Sequence, residues 1–268
     1  MKNPVHSALR ASPRNGPGWR HECSPGQQPD WLASTVLAAS LDAAIVDLDG
    51  TLVDTLGDFV AALAAMLGEL GLPAVERDFV ERSVGKGSEY LIRRTLERVG
   101  ARGSGGAGDP YAAAWASYQR HYRRVNGTYS TVYPGVEHGL DRLAQSGLKL
   151  ACLTNKPGAF ARELLARKKL GHHFGLVFGG DAFARQKPDP LPVLETCRAL
   201  GSLPARTLVI GDSSNDAVAA RAAGCPVVLV TYGYNHGRPV REVDADGWVD
   251  RLDAIGIGIG IGIGIGIG

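Results

Sequence analysis

Ala43-Ala44-Ile45-Val46-Asp47-Leu48-Asp49-Gly50-Thr51-Leu52-Val53-Asp54 is the stretch that decides how the chain folds. An apolar run, Ala43–Leu48, meets two carboxylates one residue apart and then a glycine. A run without polar alternation suits a strand buried on both faces, which is the habit of parallel sheets. Residues just past the carboxyl end of such a strand face the ligand crevice. Alternation along the strand sends Asp47 and Asp49 to the same side of the sheet's rim. Two carboxylates so close repel each other unless one is protonated or a cation lies between them. Gly50 permits the sharp turn that follows.

Further short apolar runs end at polar clusters: Leu148–Leu153, Leu176–Phe178, Leu208–Ile210 and Val227–Val230. Helix-period segments such as Val136/Leu140/Leu143 and Leu194/Cys197/Leu200 lie between them. Strands alternating with helices predict an α/β fold, a Rossmann-like parallel sheet covered on both sides. The alternation fails between the first run and Leu148. There Phe59/Leu63/Met66/Leu70, Ile92/Leu96/Val99 and Tyr111/Trp115/Tyr118/Tyr122 repeat at helical spacing. These predict a helical unit inserted after the first strand, its second and third helices separated by the glycine-rich loop 102–109. The aromatic stripe reads as packing inside that unit. The expected division is core over 40–55 and 131–254, and inserted helices over 56–130.

Both ends differ in composition. Residues 1–39 are rich in Pro, Gly and Ser without period, and read as a disordered extension. No apolar segment follows the first charges, so a secretory signal is not expected; a transit peptide and a misassigned start codon both fit. Residues 255–268 are seven Ile-Gly pairs, poor as a helix because each glycine costs roughly 1 kcal/mol against alanine. This tail is assigned no function.

With 268 residues, 44% hydrophobic and 21% charged, the chain can bury a real core. The formal net charge of +2 resides in residues 1–30, which hold Lys2, Arg10, Arg14 and Arg20 against Glu22 and Asp30. That leaves 25 of the 29 basic and 25 of the 27 acidic side chains for the rest, a balance that implies no basic face for nucleic acid. No segment reads as a membrane span. Cys23, Cys152, Cys197 and Cys225 show no CxxC spacing; Cys152 and Cys225, in or beside apolar runs, read as free buried thiols, and a reducing cytoplasm fits. The sequence gives no oligomeric state.

Three more strand ends join the first carboxylates. Leu153 is followed by Thr154-Asn155; Lys187 stands in Gln186-Lys187-Pro188-Asp189-Pro190; and Ile210 runs into Gly211-Asp212-Ser213-Ser214-Asn215-Asp216. A strand-end threonine, a surface lysine or a helix-capping aspartate is each ordinary alone. Together, on one rim, they make a site for a divalent cation and a phosphoryl group, since magnesium prefers carboxylate oxygens and lysine neutralises phosphoryl charge.

In this order, DLDGTLVDT, LTNKP, QKPDP and GDSSND resemble the four motifs of the haloacid dehalogenase superfamily, over about Asp42 to Asp253. The resemblance implies that Asp47 is a nucleophile forming an aspartyl-phosphate and that Asp49 is the general acid and base. It implies phosphoryl binding by Thr154, Asn155 and Lys187, and Mg2+ held by Asp47, Asp49 (through its carbonyl) and Asp212, with Asp216 behind them. The inserted helices correspond to a mobile cap. VGKGSEYLIRRTL (84–96), FGGDAFARQKPDP (178–190) and TYGYNHG (231–237) are most similar to the bacterial phosphoglycolate phosphatase branch, which implies hydrolysis of a small phosphorylated metabolite. The loop Gly85-Lys86-Gly87 is then the expected reader of the substrate's carboxylate. Related phosphatases of other specificity, sugar phosphomutases, dehalogenases and a non-catalytic binding module are the competing readings. Asp49 speaks against carbon–halogen cleavage, because a departing halide needs no proton.

Overall fold

A computed structural model describes residues 41–101 and 109–255. The expected amino-terminal extension, most of the glycine-rich loop and all but Ile255 of the Ile-Gly tail lie outside those residues.

Six strands form one parallel sheet in the order β5-β4-β1-β6-β7-β8. They are β1 (Ala43–Val46), β4 (Lys149–Leu153), β5 (Leu176–Phe178), β6 (Thr207–Gly211), β7 (Val227–Val230) and β8 (Gly247–Val249). The fold is α/β with a Rossmann-like core. Every residue of β1 is buried. Its alternate side chains enter two different cores: Ala44 and Val46 join Leu150, Cys152 and Ile210, while Ala43 and Ile45 join Ala151, Leu153 and Val209. Complete burial of a valine or leucine side chain is worth about 1.5–3 kcal/mol, so a strand apolar on both faces is stable only with a layer on each side. Helices α5 (Val136–Gln145) and α6 (Gly158–Arg167) cover the first face through Leu140, Leu143, Leu164 and Leu165. Helices α7 (Leu191–Leu200) and α8 (Ser214–Ala223) cover the other through Val193, Cys197, Ala217 and Ala220.

The strand order positions the site. From β1 the chain builds the sheet outward in one direction through β4 and β5, and in the other through β6, β7 and β8. Strand β1 therefore lies at the switch point, where a crevice opens beyond the carboxyl ends of adjacent strands. Asp47 follows β1, Thr154 follows β4 and Asp212 follows β6. Strand β8 is absent from the sequence reading, because Gly247-Trp248-Val249 is too short and too closely flanked by aspartates to show a period.

Helices α1 (Leu56–Glu69), α2 (Arg77–Ser83), α3 (Gly87–Arg98) and α4 (Tyr111–Val125) stand between β1 and α5 with a core of their own. Phe59, Leu63 and Met66 of α1 pack there with Ile92 and Leu96 of α3 and Tyr118 and Tyr122 of α4. The unit is joined to the sheet by two adjacent connections. Val53–Asp54 (β2) pairs antiparallel with Thr131–Val132 (β3). Asp58, fully buried in the first turn of α1, accepts from the main-chain N–H groups of Gly127 and Tyr129, both at 2.7 Å. Among the described residues no helix is long and apolar enough to cross a membrane.

Candidate active site

The carboxyl ends of β1, β4 and β6 bring Asp47, Asp49, Thr154, Lys187, Asp212 and Asp216 around one cavity, and all six are buried. Lys187 joins three of the segments. Its Nζ donates to Asp47 Oδ1 at 2.7 Å, to Asp216 Oδ1 at 2.6 Å and to the carbonyl of Leu153 at 2.8 Å. Burial works against the lysine's charge, but the two carboxylates outweigh it and raise its pKa.

The acidic groups are held under strain of charge. Burial first, with the neighbouring Asp216 and Asp49 adding to it against the opposing pull of Lys187, pushes Asp47 up to about 7. Asp212 is raised well above the ordinary carboxylate range by burial and by Asp216 and Asp47, against a hydrogen bond from the Tyr234 N–H. Carboxylate oxygens of Asp47, Asp212 and Asp216 lie within 4.8 Å of one another. Counted as ionised, the four carboxylates exceed the two ammonium groups, Lys156 and Lys187, by two charges, the deficit a divalent cation would fill. The donor set, all oxygen, is the kind magnesium prefers.

Asp216 serves two purposes at once. Its Oδ2 accepts from Ser213 Oγ at 2.8 Å and closes a capping box at the start of α8, while Oδ1 takes Lys187. The carboxylate of Asp49 turns away from the acidic trio towards Lys156 Nζ, 2.8 Å distant. Gly50, at φ 88°, passes so close to Asp212 that a β-carbon would overlap Asp212 Oδ2. No other residue type leaves Asp212 its place.

Asn155 is committed to positioning. Its amide brackets the main chain of Lys187, donating to the carbonyl at 2.8 Å and accepting from the N–H at 3.0 Å. The same Nδ2 donates to the Gly85 carbonyl at 2.9 Å, and Asn215 Nδ2 donates to that carbonyl at 3.1 Å. The loop Gly85-Lys86-Gly87 is thus latched to the sheet side of the cavity. Gly85 and Gly87 have φ of 99° and 82°, and Lys86 Nζ stands 5.2 Å over the Tyr90 ring. Loop and sheet ends both line the cavity, whose free volume is about 30 Å³.

Four lining residues were given no role at the site by the sequence reading. Lys156 follows Thr154-Asn155 directly, and its position in the same strand-end motif was the available signal. Phe59 and Tyr122 face the cavity from the helical unit. For Tyr122, packing inside that unit and lining the site are both true. Tyr234, in the loop after β7, lies in TYGYNHG, which the sequence reading used only for its resemblance.

The switch-point crevice thus gathers clustered carboxylates and two buried lysines beneath residues of the helical unit. Residues 44–230 match the haloacid dehalogenase-like hydrolase family. The chain is 42% identical over 212 residues to a phosphoglycolate phosphatase from Thiobacillus denitrificans, covering 79% of this chain and 92% of the relative. It is 43% identical over 213 residues to a plasmid-encoded phosphoglycolate phosphatase from Cupriavidus necator, covering 80% and 90%. The crystal structure of a predicted phosphoglycolate phosphatase from Haemophilus somnus superposes with a TM-score of 0.76 at 31% identity, covering 81% of this chain and 96% of that one. The chain belongs to the haloacid dehalogenase-like hydrolase family.

Proposed function

We propose that the protein is a magnesium-dependent phosphatase that hydrolyses 2-phosphoglycolate to glycolate and phosphate, with Asp47 as its nucleophile. The observation that carries this reading is the buried cluster of Asp47, Asp212 and Asp216, two of which, Asp47 and Asp216, are paired to Lys187. The names of the relatives at 42% and 43% identity supply the substrate.

Asp47, Asp212 and the main-chain carbonyl of Asp49 would hold magnesium, with Asp216 orienting Lys187 behind them. Magnesium bound there offsets the negative charge of Asp47 and of the phosphoryl oxygens, so that the two can meet. Asp47 attacks phosphorus, and the bond from phosphorus to the glycolate oxygen breaks. Asp49 donates its proton to that departing oxygen. It then takes a proton from the water that attacks the aspartyl-phosphate, releasing phosphate and restoring both carboxyl groups. Lys187 and Thr154 hold the phosphoryl oxygens, and Asn155 fixes Lys187 from behind.

Helices α1–α4 act as the cap. The small free volume and the latch through Gly85 suit a closed state, so substrate would enter when the cap swings on β2 and β3, and closure excludes bulk water. The three buried thiols Cys152, Cys197 and Cys225 suit a reducing cytoplasm.

A panel of small phosphate esters assayed with magnesium tests the reading. Phosphoglycolate should show the highest kcat/KM, and a chelator should abolish turnover of every ester. A sugar phosphate preferred over phosphoglycolate would overturn the substrate assignment.

A further inference from the structure

Lys156 is the second buried cation of the cavity, and the reaction just described gives it no task. Its side chain is 2% exposed. Among the described residues Nζ donates to one partner, Asp49 Oδ1, at 2.8 Å. An ammonium has three donors; the other neighbours are ring faces, Phe59 at 4.6 Å and Tyr122 at 4.9 Å to the centroids. Lysine is almost never fully buried unless it is paired, because desolvating its charge is costly. Methionine or leucine would fill the same space without that cost, so the position calls for a cation.

The two lysines divide the cavity. Lys187 sits among Asp47 and Asp216, at the end where phosphorus is attacked. Lys156 sits beside Asp49, the group that the proposed reaction sets against the departing oxygen, and against two aromatic rings of the helical unit. In phosphoglycolate the carboxyl carbon is two atoms from that oxygen, so its charge must fall near Lys156. The loop Gly85-Lys86-Gly87 is less suited: it presents the Gly85 carbonyl, an acceptor, to the core amides.

We infer that Lys156 binds the carboxylate of the substrate, with Phe59 and Tyr122 as the walls that limit its length. This rests on the proposed function, since it names the group that reads the glycolate half. The substrate class is a short phosphoryloxy carboxylate, and the carboxylate competes with Asp49 for the ammonium.

The test compares phosphoglycolate with ethyl phosphate, which has the same chain without the carboxylate, in wild type, Lys156→Met and Lys156→Gln. Glutamine keeps a donor to Asp49 but no charge, and serves alone if the methionine variant does not fold. The preference for phosphoglycolate, as a ratio of kcat/KM values, should fall about 10–100-fold in both variants, the size of one lost charge-assisted hydrogen bond, mainly through KM. Inhibition by inorganic phosphate should stay within about threefold of wild type, since the phosphoryl end is intact. Equal losses on both esters would reduce Lys156 to a support for Asp49 and overturn the inference, as would an unchanged preference. A wild-type enzyme that does not prefer phosphoglycolate would instead overturn the proposed function.

Discussion

Tyr234 joins Asp212 to the start of the helical unit: its main-chain N–H donates to Asp212 Oδ2 at 2.6 Å, and its phenol accepts from the N–H groups of Thr55 at 3.0 Å and Leu56 at 3.2 Å. The same hydroxyl donates to Asp54. One residue therefore reaches, by its main chain, a carboxylate of the acidic trio and, by its phenol, the connection on which α1 begins. The start of the helical unit is thus tied to the acidic site through Tyr234.

Tyr234→Phe keeps the ring and the main-chain bond to Asp212 but leaves the buried Thr55 amide without its phenol. A buried donor without a partner costs about 1–3 kcal/mol, which lowers Tm by several degrees in a domain of this size. Magnesium affinity should change little, because the Asp212 contact is made by the backbone. Calorimetry of the two proteins decides it, and an unchanged Tm would show that the phenol contributes nothing to the connection.

The proposed double role of Asp49 has a signature in the leaving group. Asp49→Asn should lose about a hundredfold to ten-thousandfold with phosphoglycolate, whose alkoxide needs a proton. With p-nitrophenyl phosphate, whose phenolate leaves unaided, the loss should be smaller. Steady-state kinetics with both esters separates the cases. Equal losses would mean that Asp49 acts mainly by holding Lys156.

The raised carboxylates predict how magnesium stabilises the protein with pH. Asp47, ordinarily near 3.8, stands at about 7 in the folded chain, and Asp212 is raised as well. Between those values the folded state binds more protons than the unfolded one. The metal-free protein therefore loses this contribution to stability as pH rises through about 7. Magnesium competes with those protons, so the gain in Tm on adding it over chelator should grow from pH 5 to pH 7.5 and then level off. A gain independent of pH would show that the cation binds away from Asp47 and Asp212.

How far the sequence was readable depended on the length of each signal. Strands β1, β4, β5, β6 and β7 were visible because both of their faces are apolar, and a run such as Val227–Val230 has no competing reading. Helices α1, α3 and α4 announced themselves through stripes that converge in one core. Strand β8 and the β2–β3 ribbon, of three and two residues, are set by tertiary pairing and carry no period. At the site, the carboxylates were legible because their backbone positions follow strand ends. Lys156 and Tyr234 were not, because their importance lies in where long side chains reach: one to Asp49, 107 residues away, the other to Thr55, 179 residues away.

Trapping the phosphorylated enzyme tests the proposed covalent role of Asp47. Wild type should be acid-quenched during turnover of radiolabelled phosphoglycolate with magnesium, reduced with borohydride, digested and sequenced by mass spectrometry. If Asp47 is the nucleophile, the protein carries phosphate that hydroxylamine releases, homoserine replaces Asp47 after reduction, and a folded Asp47→Asn variant takes no label. Turnover without any protein-bound phosphate, or label carried by another residue while Asp47 is unmodified, would contradict it.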